Sequence, residues 1–319
     1  MYRTLHPHPG TLILMYHSVP DRDIAQWIDP RYAVPVDLFA RQMKFLARRR
    51  RVIGMTELLD LLQRGESAGA GTVVITFDDG YRDTLTTAAN VLSEVGLPAT
   101  LYLATGYVTR GETQWTDRLY SMFELRSRDR LVLEQGENRL FDLRDPSARR
   151  VAYGTLASRL LVARWSDRQE LLAEVGSQLR PSQLPPRLTL NWEEVNELRR
   201  RHTHFEIGVH TRDHLDLVVH GAEAAARELH DCVEDVRREL QQSVAHLSYP
   251  YGRADAKTRG VAAGLGFRSA AVTEPAALVR QGSDRFSLPR VEAPRSLSLF
   301  RFWTSGAYPD LPRSLLGRA

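Results

Sequence analysis

The six residues Thr72–Phe77 read Thr-Val-Val-Ile-Thr-Phe, β-branched or apolar at every position. A strand with one wet face alternates polar and apolar residues. An unbroken run like this one suits a strand covered on both faces, as in a parallel sheet walled by helices. The neighbouring segments supply such walls. Thr11 to Met15 reads as a second buried strand, and Asp37 to Arg48 has helical apolar spacing at Leu38, Phe39, Met43 and Leu46. A helix opening at Thr56 as N-cap closes at Gly65, and another runs from Asp83 to Val95 and stops at Gly96. Ala99 to Ala104 is the next strand. After a gap the rhythm resumes: a helix opened by an Asn191/Glu194 capping box and running to Arg201, a strand Phe205 to Val209, a helix Ala222 to Gln242, a strand Ala245 to Tyr249, a helix Asp255 to Gly264 and a strand Phe267 to Val272. Repeated βα units over 319 residues predict a barrel or a doubly wound sheet.

Residues 107–190 break that rhythm. They are Arg-rich, with helical stretches near 147–163 and 167–178, the second opened by a capping box at Ser166 and Gln169 and the segment closed by Pro181, Pro185 and Pro186. We read them as a largely helical insertion within a single domain spanning 1–319.

Composition narrows the function classes. Hydrophobic residues make up 43% and charged residues 26%, which excludes a disordered chain and a polytopic membrane protein. The formal net charge of +4 carries no nucleic-acid-binding tail. Cys232 is the one cysteine, so no intrachain disulfide forms. The apolar run Leu12 to Tyr16 is too short for the core of a signal peptide, and no stretch approaches the ~20 apolar residues of a membrane span. The expectation is a cytoplasmic chain.

Four segments carry chemistry, and each follows a predicted strand, where barrels place catalytic groups. Asp78 and Asp79 precede Gly80; read alone, they could equally be a polar strand terminus. His210 and His214 form a His-x3-His, which suits a divalent ion if the turn brings both rings together and is otherwise two loop histidines. With one Asp they would make a three-ligand site with an open position. Tyr249-Pro250-Tyr251-Gly252 fixes a tight turn whose N–H could face an oxyanion, or does no more than turn the chain. His17, in Met15-Tyr16-His17-Ser18, reads locally as a satisfied core histidine. A fifth pattern, Gly65-Glu66-Ser67-Ala68-Gly69, matches the serine-hydrolase elbow, but there a strand must precede the Ser and a helix follow it. Here the order is reversed.

Taken in order, Met15-Tyr16-His17, Thr76-Phe77-Asp78-Asp79-Gly80, His210-Thr211-Arg212-Asp213-His214 and Tyr249-Pro250-Tyr251-Gly252 resemble the polysaccharide deacetylases, the NodB-homology group or carbohydrate esterase family 4. The resemblance covers roughly 11–105 and 190–295. It implies a distorted (β/α) barrel and one divalent metal, zinc first, with cobalt, nickel or manganese as alternatives. It further implies hydrolysis of N-acetyl, sometimes O-acetyl, groups on a sugar. Carried over, Asp78 is the catalytic base, Asp79, His210 and His214 hold the metal, and Tyr251 lends its backbone N–H to the oxyanion hole. Two departures stand out. The family's late catalytic histidine is absent, since the last of the ten histidines is His246. His17 instead fits the Met-Tyr-His of the circularly permuted exopolysaccharide deacetylases, where it would donate to the leaving amine. Ser248 stands where the family has an arginine against the base, and Arg290 is the candidate substitute. Trp115, in Gln114-Trp115-Thr116-Asp117-Arg118, would stack on a sugar ring or pin the insertion to the core.

The implied partner is an N-acetylated saccharide: a surface polysaccharide, an oligosaccharide or its precursor. A lipid-linked precursor would bring peripheral membrane association. Two other classes stay open: a metal-dependent amidohydrolase of the same fold acting on a small non-sugar amide, and a non-catalytic carbohydrate-binding relative.

Overall fold

The computed structural model describes residues 10–135, 137–274 and 277–307. Nine strands lie in the described residues. Seven, all parallel, close a barrel: β1 (Thr11–Tyr16), β2 (Thr72–Phe77), β3 (Ala99–Leu103), β6 (Phe205–Val209), β7 (His246–Ser248), β8 (Ser269–Thr273) and β9 (Leu288–Glu292). The other two, β4 (Arg130–Gln135) and β5 (Glu137–Asp142), pair antiparallel inside the insertion. Closure comes from β9 lying beside β1, with Ile13 opposite Arg290. Every residue of β2 is buried, as its composition requires of a strand covered on both sides.

The connections give each strand a helical cover. Val36–Arg49 lays Phe39, Met43 and Leu46 on the barrel and joins Leu12, Leu14, Phe77 and Leu101 in the main apolar core. The helix over 83–95 begins as a π-turn, Thr84–Ala88, continues as Ala89–Val95, and ends on Gly96 in the left-handed region (φ 68°). The Asn191/Glu194 capping box forms as read. The helix over 217–240 starts earlier than its apolar spacing implies, at Leu217 behind an Asp216 cap, with a break at Gly221 (φ 79°).

Two helix starts differ from expectation for identifiable reasons. Thr56 is not an N-cap: the helix runs Met55–Gln63, and its first amides are held by Glu206 of β6, whose carboxylate accepts from Met55 N (2.9 Å) and Thr56 N (3.2 Å). A tertiary carboxylate has taken the place of a local cap. Ser166 is not an N-cap either: the helix begins at Trp165 and the Ser166 hydroxyl turns to Asp167.

The insertion at 107–190 contains the helices Trp115–Glu124, Pro146–Val162 and Trp165–Leu179, together with the β4–β5 hairpin, which helical spacing does not anticipate. It builds an apolar core of its own around Leu119, Phe123, Leu131, Leu156, Leu160 and Leu172. Trp115, 4% exposed, belongs to that core, against which Tyr251 packs from the barrel's loops; it presents no free face to a sugar. No helix among the described residues is long and apolar enough to cross a membrane.

Candidate metal centre and active site

Barrel closure brings the strand-end residues to one end. Asp78 and Asp79 follow β2, His17 follows β1, His210 follows β6 and Tyr251 lies in the turn after β7. Ser67 is exposed in the loop before β2, at the barrel's other end, and its Oγ is engaged with Gly69 N; the serine-hydrolase pattern builds no site.

Adjacent side chains on an extended strand point to opposite faces. Asp78 and Asp79 escape that rule because the chain turns between them: Asp79 and Gly80 both take positive φ (70° and 77°), and Gly80 N donates to the Asp78 carbonyl. For a non-glycine residue this conformation is strained. Its result is that both carboxylates face the same histidine: His210 Nε2 lies 3.8 Å from Asp78 Oδ2 and 3.7 Å from Asp79 Oδ1.

Asp79, His210 and His214 offer three donor atoms, all within 4.8 Å of one another and all buried. His214 Nε2 is 3.3 Å from Asp79 Oδ1. His210 Nδ1 contacts the Ser248 carbonyl at 2.7 Å. A carbonyl only accepts, so Nδ1 carries the hydrogen and Nε2 presents a lone pair toward Asp79. Asp79 Oδ1 is buried and has no hydrogen-bond partner. Burial, then Asp78, then Asp117 push its carboxyl well above the usual range. Burial holds both imidazoles below their ordinary value, with His210 and Arg168 adding to the effect at His214. Two neutral nitrogens converging on an orphaned, destabilised carboxylate make a donor set that a divalent cation would complete; the residues fit one.

Asp78 sits in the opposite electrostatic condition. Arg290, fully buried on β9, grips it bidentately, Nη1 to Oδ1 at 2.7 Å and Nη2 to Oδ2 at 2.6 Å. Arg290 also donates to Thr76 Oγ1 (3.1 Å) and Ser248 Oγ (2.6 Å), and its guanidinium lies over the Tyr102 ring. Burial alone would raise the Asp78 carboxyl, but Arg290, then His210, hold it well below the usual range. Neighbouring carboxylates are thus driven apart, one toward protonation and one kept ionised. Ser248 does not replace an arginine's charge; it orients the arginine that arrives from β9.

His17 is partly buried, its ring 5.3 Å from that of Tyr32, and it is not among the three clustered donors. Burial pushes it down to about 4, against the opposing pull of Asp78. In the free chain it is therefore neutral at pH 7. Tyr251 takes positive φ (59°), and its ring meets that of His214 edge-on at 4.7 Å.

The family model for polysaccharide deacetylase matches residues 65–136 and 151–270. The chain belongs to the polysaccharide deacetylase family. His17 and Arg290 lie outside the matched segments, so their placement here rests on geometry. No curated protein matches the sequence. Among solved structures, the Streptococcus pyogenes deacetylase PplD in complex with acetate has a TM-score of 0.60 at 18% identity, covering 94% of this chain and 99% of its own. IcaB from Ammonifex degensii has a TM-score of 0.62 at 17% identity, covering 95% and 98%. The de-N-acetylase from Aggregatibacter actinomycetemcomitans has 0.56 at 14%, covering 92% and 99%. At these identities the likeness establishes the distorted NodB-type barrel. One residue at the site went unread in the sequence: Arg168 of the insertion, which reaches the backbone of His214.

Proposed function

We propose that this family member is a metal-dependent deacetylase hydrolysing N-acetyl groups of a sugar. The observation that carries the reading is the split between the two aspartates: Asp78 ionised under Arg290, Asp79 uncompensated among two neutral imidazoles. A divalent ion held by Asp79, His210 and His214 would polarise the acetamide carbonyl and lower the pKa of a bound water. Zinc is our first choice; cobalt, nickel and manganese suit the same donors. Asp78 takes a proton from the attacking water. The Tyr251 backbone N–H supports the developing oxyanion. His17 passes a proton to the leaving nitrogen, so that acetate and a free amine result. Because it is neutral in the free chain, it must first take that proton up in the enzyme–substrate complex. The acid's position in the N-terminal Met15-Tyr16-His17 supports a place among the permuted exopolysaccharide deacetylases, with a surface polysaccharide, oligosaccharide or precursor as substrate.

Metal analysis combined with acetate release from a panel of acetylated sugars tests this. N-acetylhexosamine oligomers should release acetate, a chelator should abolish the activity, and a serine-reactive phosphonate should leave it intact. Hydrolysis of non-sugar amides alone would move the assignment to a small-molecule amidohydrolase, and sugar binding without turnover to a non-catalytic relative.

The acid assignment has its own test. His17→Ala should keep its metal and lose about 10²-fold in kcat, the lower end for a general acid, because the neutral resting state limits what His17 contributes. A fully active variant would remove His17 from the mechanism and with it the permuted-subfamily assignment.

A further inference from the structure

We propose that Arg168, which the insertion contributes, is a positioning residue for the metal ligand His214, so that the insertion is part of the metal site; this rests on the metal reading above. Arg168 is completely buried. Among the described residues none of its hydrogen-bond partners is a carboxylate. Nε donates to the Leu160 carbonyl (2.8 Å), Nη1 to the Asp213 carbonyl (2.7 Å), and Nη2 to the carbonyls of His214 (3.0 Å) and Leu161 (3.3 Å) and to Tyr251 Oη (3.3 Å). An apolar side chain of similar length would fill the space without the cost of burying a cation. What the guanidinium adds is a rigid planar fork that binds several acceptors at once.

Those acceptors come from two places. Leu160 and Leu161 are in the last turn of the insertion helix Pro146–Val162, where i→i+4 partners run out and the Leu160 carbonyl keeps a 3.3 Å bond from the Ala163 amide. Asp213, His214 and Tyr251 belong to the active-site loops. Arg168 therefore ties one to the other.

The loop it grips needs holding. Thr211 (φ 62°) and His214 (φ 51°) both occupy the left-handed region, which a β-branched or bulky residue keeps only when its surroundings enforce it. The loop's amides are fixed from one side: Arg212 N and Asp213 N donate to the Glu228 carboxylate at 3.0 and 2.8 Å. The Asp213 side chain is fixed by Arg110 (2.8 Å). The Thr211 and Arg212 carbonyls accept from Thr105 N (3.2 Å) and Gly106 N (2.9 Å), and Arg168 takes those of Asp213 and His214. Without it, His214 is free to relax toward negative φ, and its imidazole leaves the 3.3 Å approach to Asp79.

The test titrates Co²⁺ into metal-free protein, read by calorimetry and by the visible absorption of the bound ion, whose intensity reports coordination geometry. Arg168→Met should bind about 10- to 100-fold more weakly, the range for losing a group that orients a ligand, with an altered spectrum. Arg168→Lys, a point charge unable to span the carbonyls, should fall between Arg168→Met and the unmodified protein. Leu156→Ala, a deletion in the same insertion core, should lower the melting temperature and leave Co²⁺ affinity and spectrum unchanged. Unchanged affinity in Arg168→Met, or an equal loss in Leu156→Ala, would overturn the inference. Should Arg168→Met fail to fold, Arg168→Lys decides: affinity at the unmodified level refutes positioning. An unmodified protein that binds no Co²⁺ sinks the metal reading itself, and this inference with it, an outcome distinct from the others.

Discussion

Asp78→Asn should retain one divalent ion per chain and lose turnover by about 10²- to 10⁴-fold, whereas Asp79→Ala should lose the ion and with it all metal-dependent activity. The residues are adjacent, so position along the chain does not distinguish them; their surroundings do. Asp78 has both oxygens engaged by Arg290 and a third contact from Ser248 Oγ at 3.3 Å. A carboxylate so neutralised adds little to a cation site but stays ionised, as a base must. Asp79 has an orphaned oxygen facing both His210 and His214. Asn at 78 keeps the size and the hydroxyl contact but cannot take a proton. Ala at 79 removes the one anion from the donor set, leaving two neutral nitrogens. Metal content per chain by mass spectrometry, set beside kcat, separates the two. Loss of metal in Asp78→Asn with retention in Asp79→Ala would exchange the roles.

The parts of the site legible in the sequence were those that local chemistry dictates. Asp78 and Asp79 directly follow β2, His210 directly follows β6 with His214 in the same loop, and a barrel places strand ends together. The unbroken apolar run of Thr72–Phe77 announced a strand covered on both faces. What could not be read locally was whatever a distant residue supplies. Strand β9 has Pro289 and a fully buried Arg290 at its centre, two residues that argue against a barrel strand. It exists because Leu288 and Val291 are buried and because Arg290 is matched by Asp78, which follows β2 on the far side of β1. The start of helix Met55–Gln63 was misplaced for the same kind of reason, its cap being Glu206 from 150 residues away. Arg168 had no signal at all. In an Arg-rich insertion, one arginine that points inward looks like those that point out. The β4–β5 hairpin was the exception: Leu131 and Leu133 are buried and Val132 between them is exposed, so its period of two was there to be read.

Arg290→Met should damage stability and catalysis together, with a pH signature that identifies the cause. The pair is fully desolvated, with Arg290 at 0% and Asp78 at 2% side-chain exposure. Removing one partner of such a pair leaves an unpaired buried charge and costs about 3–5 kcal/mol. The sign of the pH dependence follows from Asp78. With Arg290 present its carboxyl lies below the unfolded value of about 3.9, so the pairing stabilises the fold fully above that pH and is lost as pH falls through the lower, folded value. Without Arg290, burial dominates and the folded carboxyl rises above the unfolded value. The variant is then destabilised most at high pH, where burial opposes an ionised Asp78, and the deficit shrinks as acid protonates it. In chelator, so that no cation compensates, the difference in melting temperature between the variant and the unmodified protein should be larger at pH 8 than at pH 5. In the metal-loaded enzyme the acid limb of kcat/KM should move to higher pH, because the base now needs a higher pH to ionise. An Arg290→Met variant with an unchanged acid limb and a pH-independent loss of stability would show that Arg290 fills space and leaves the charge on Asp78 to other groups.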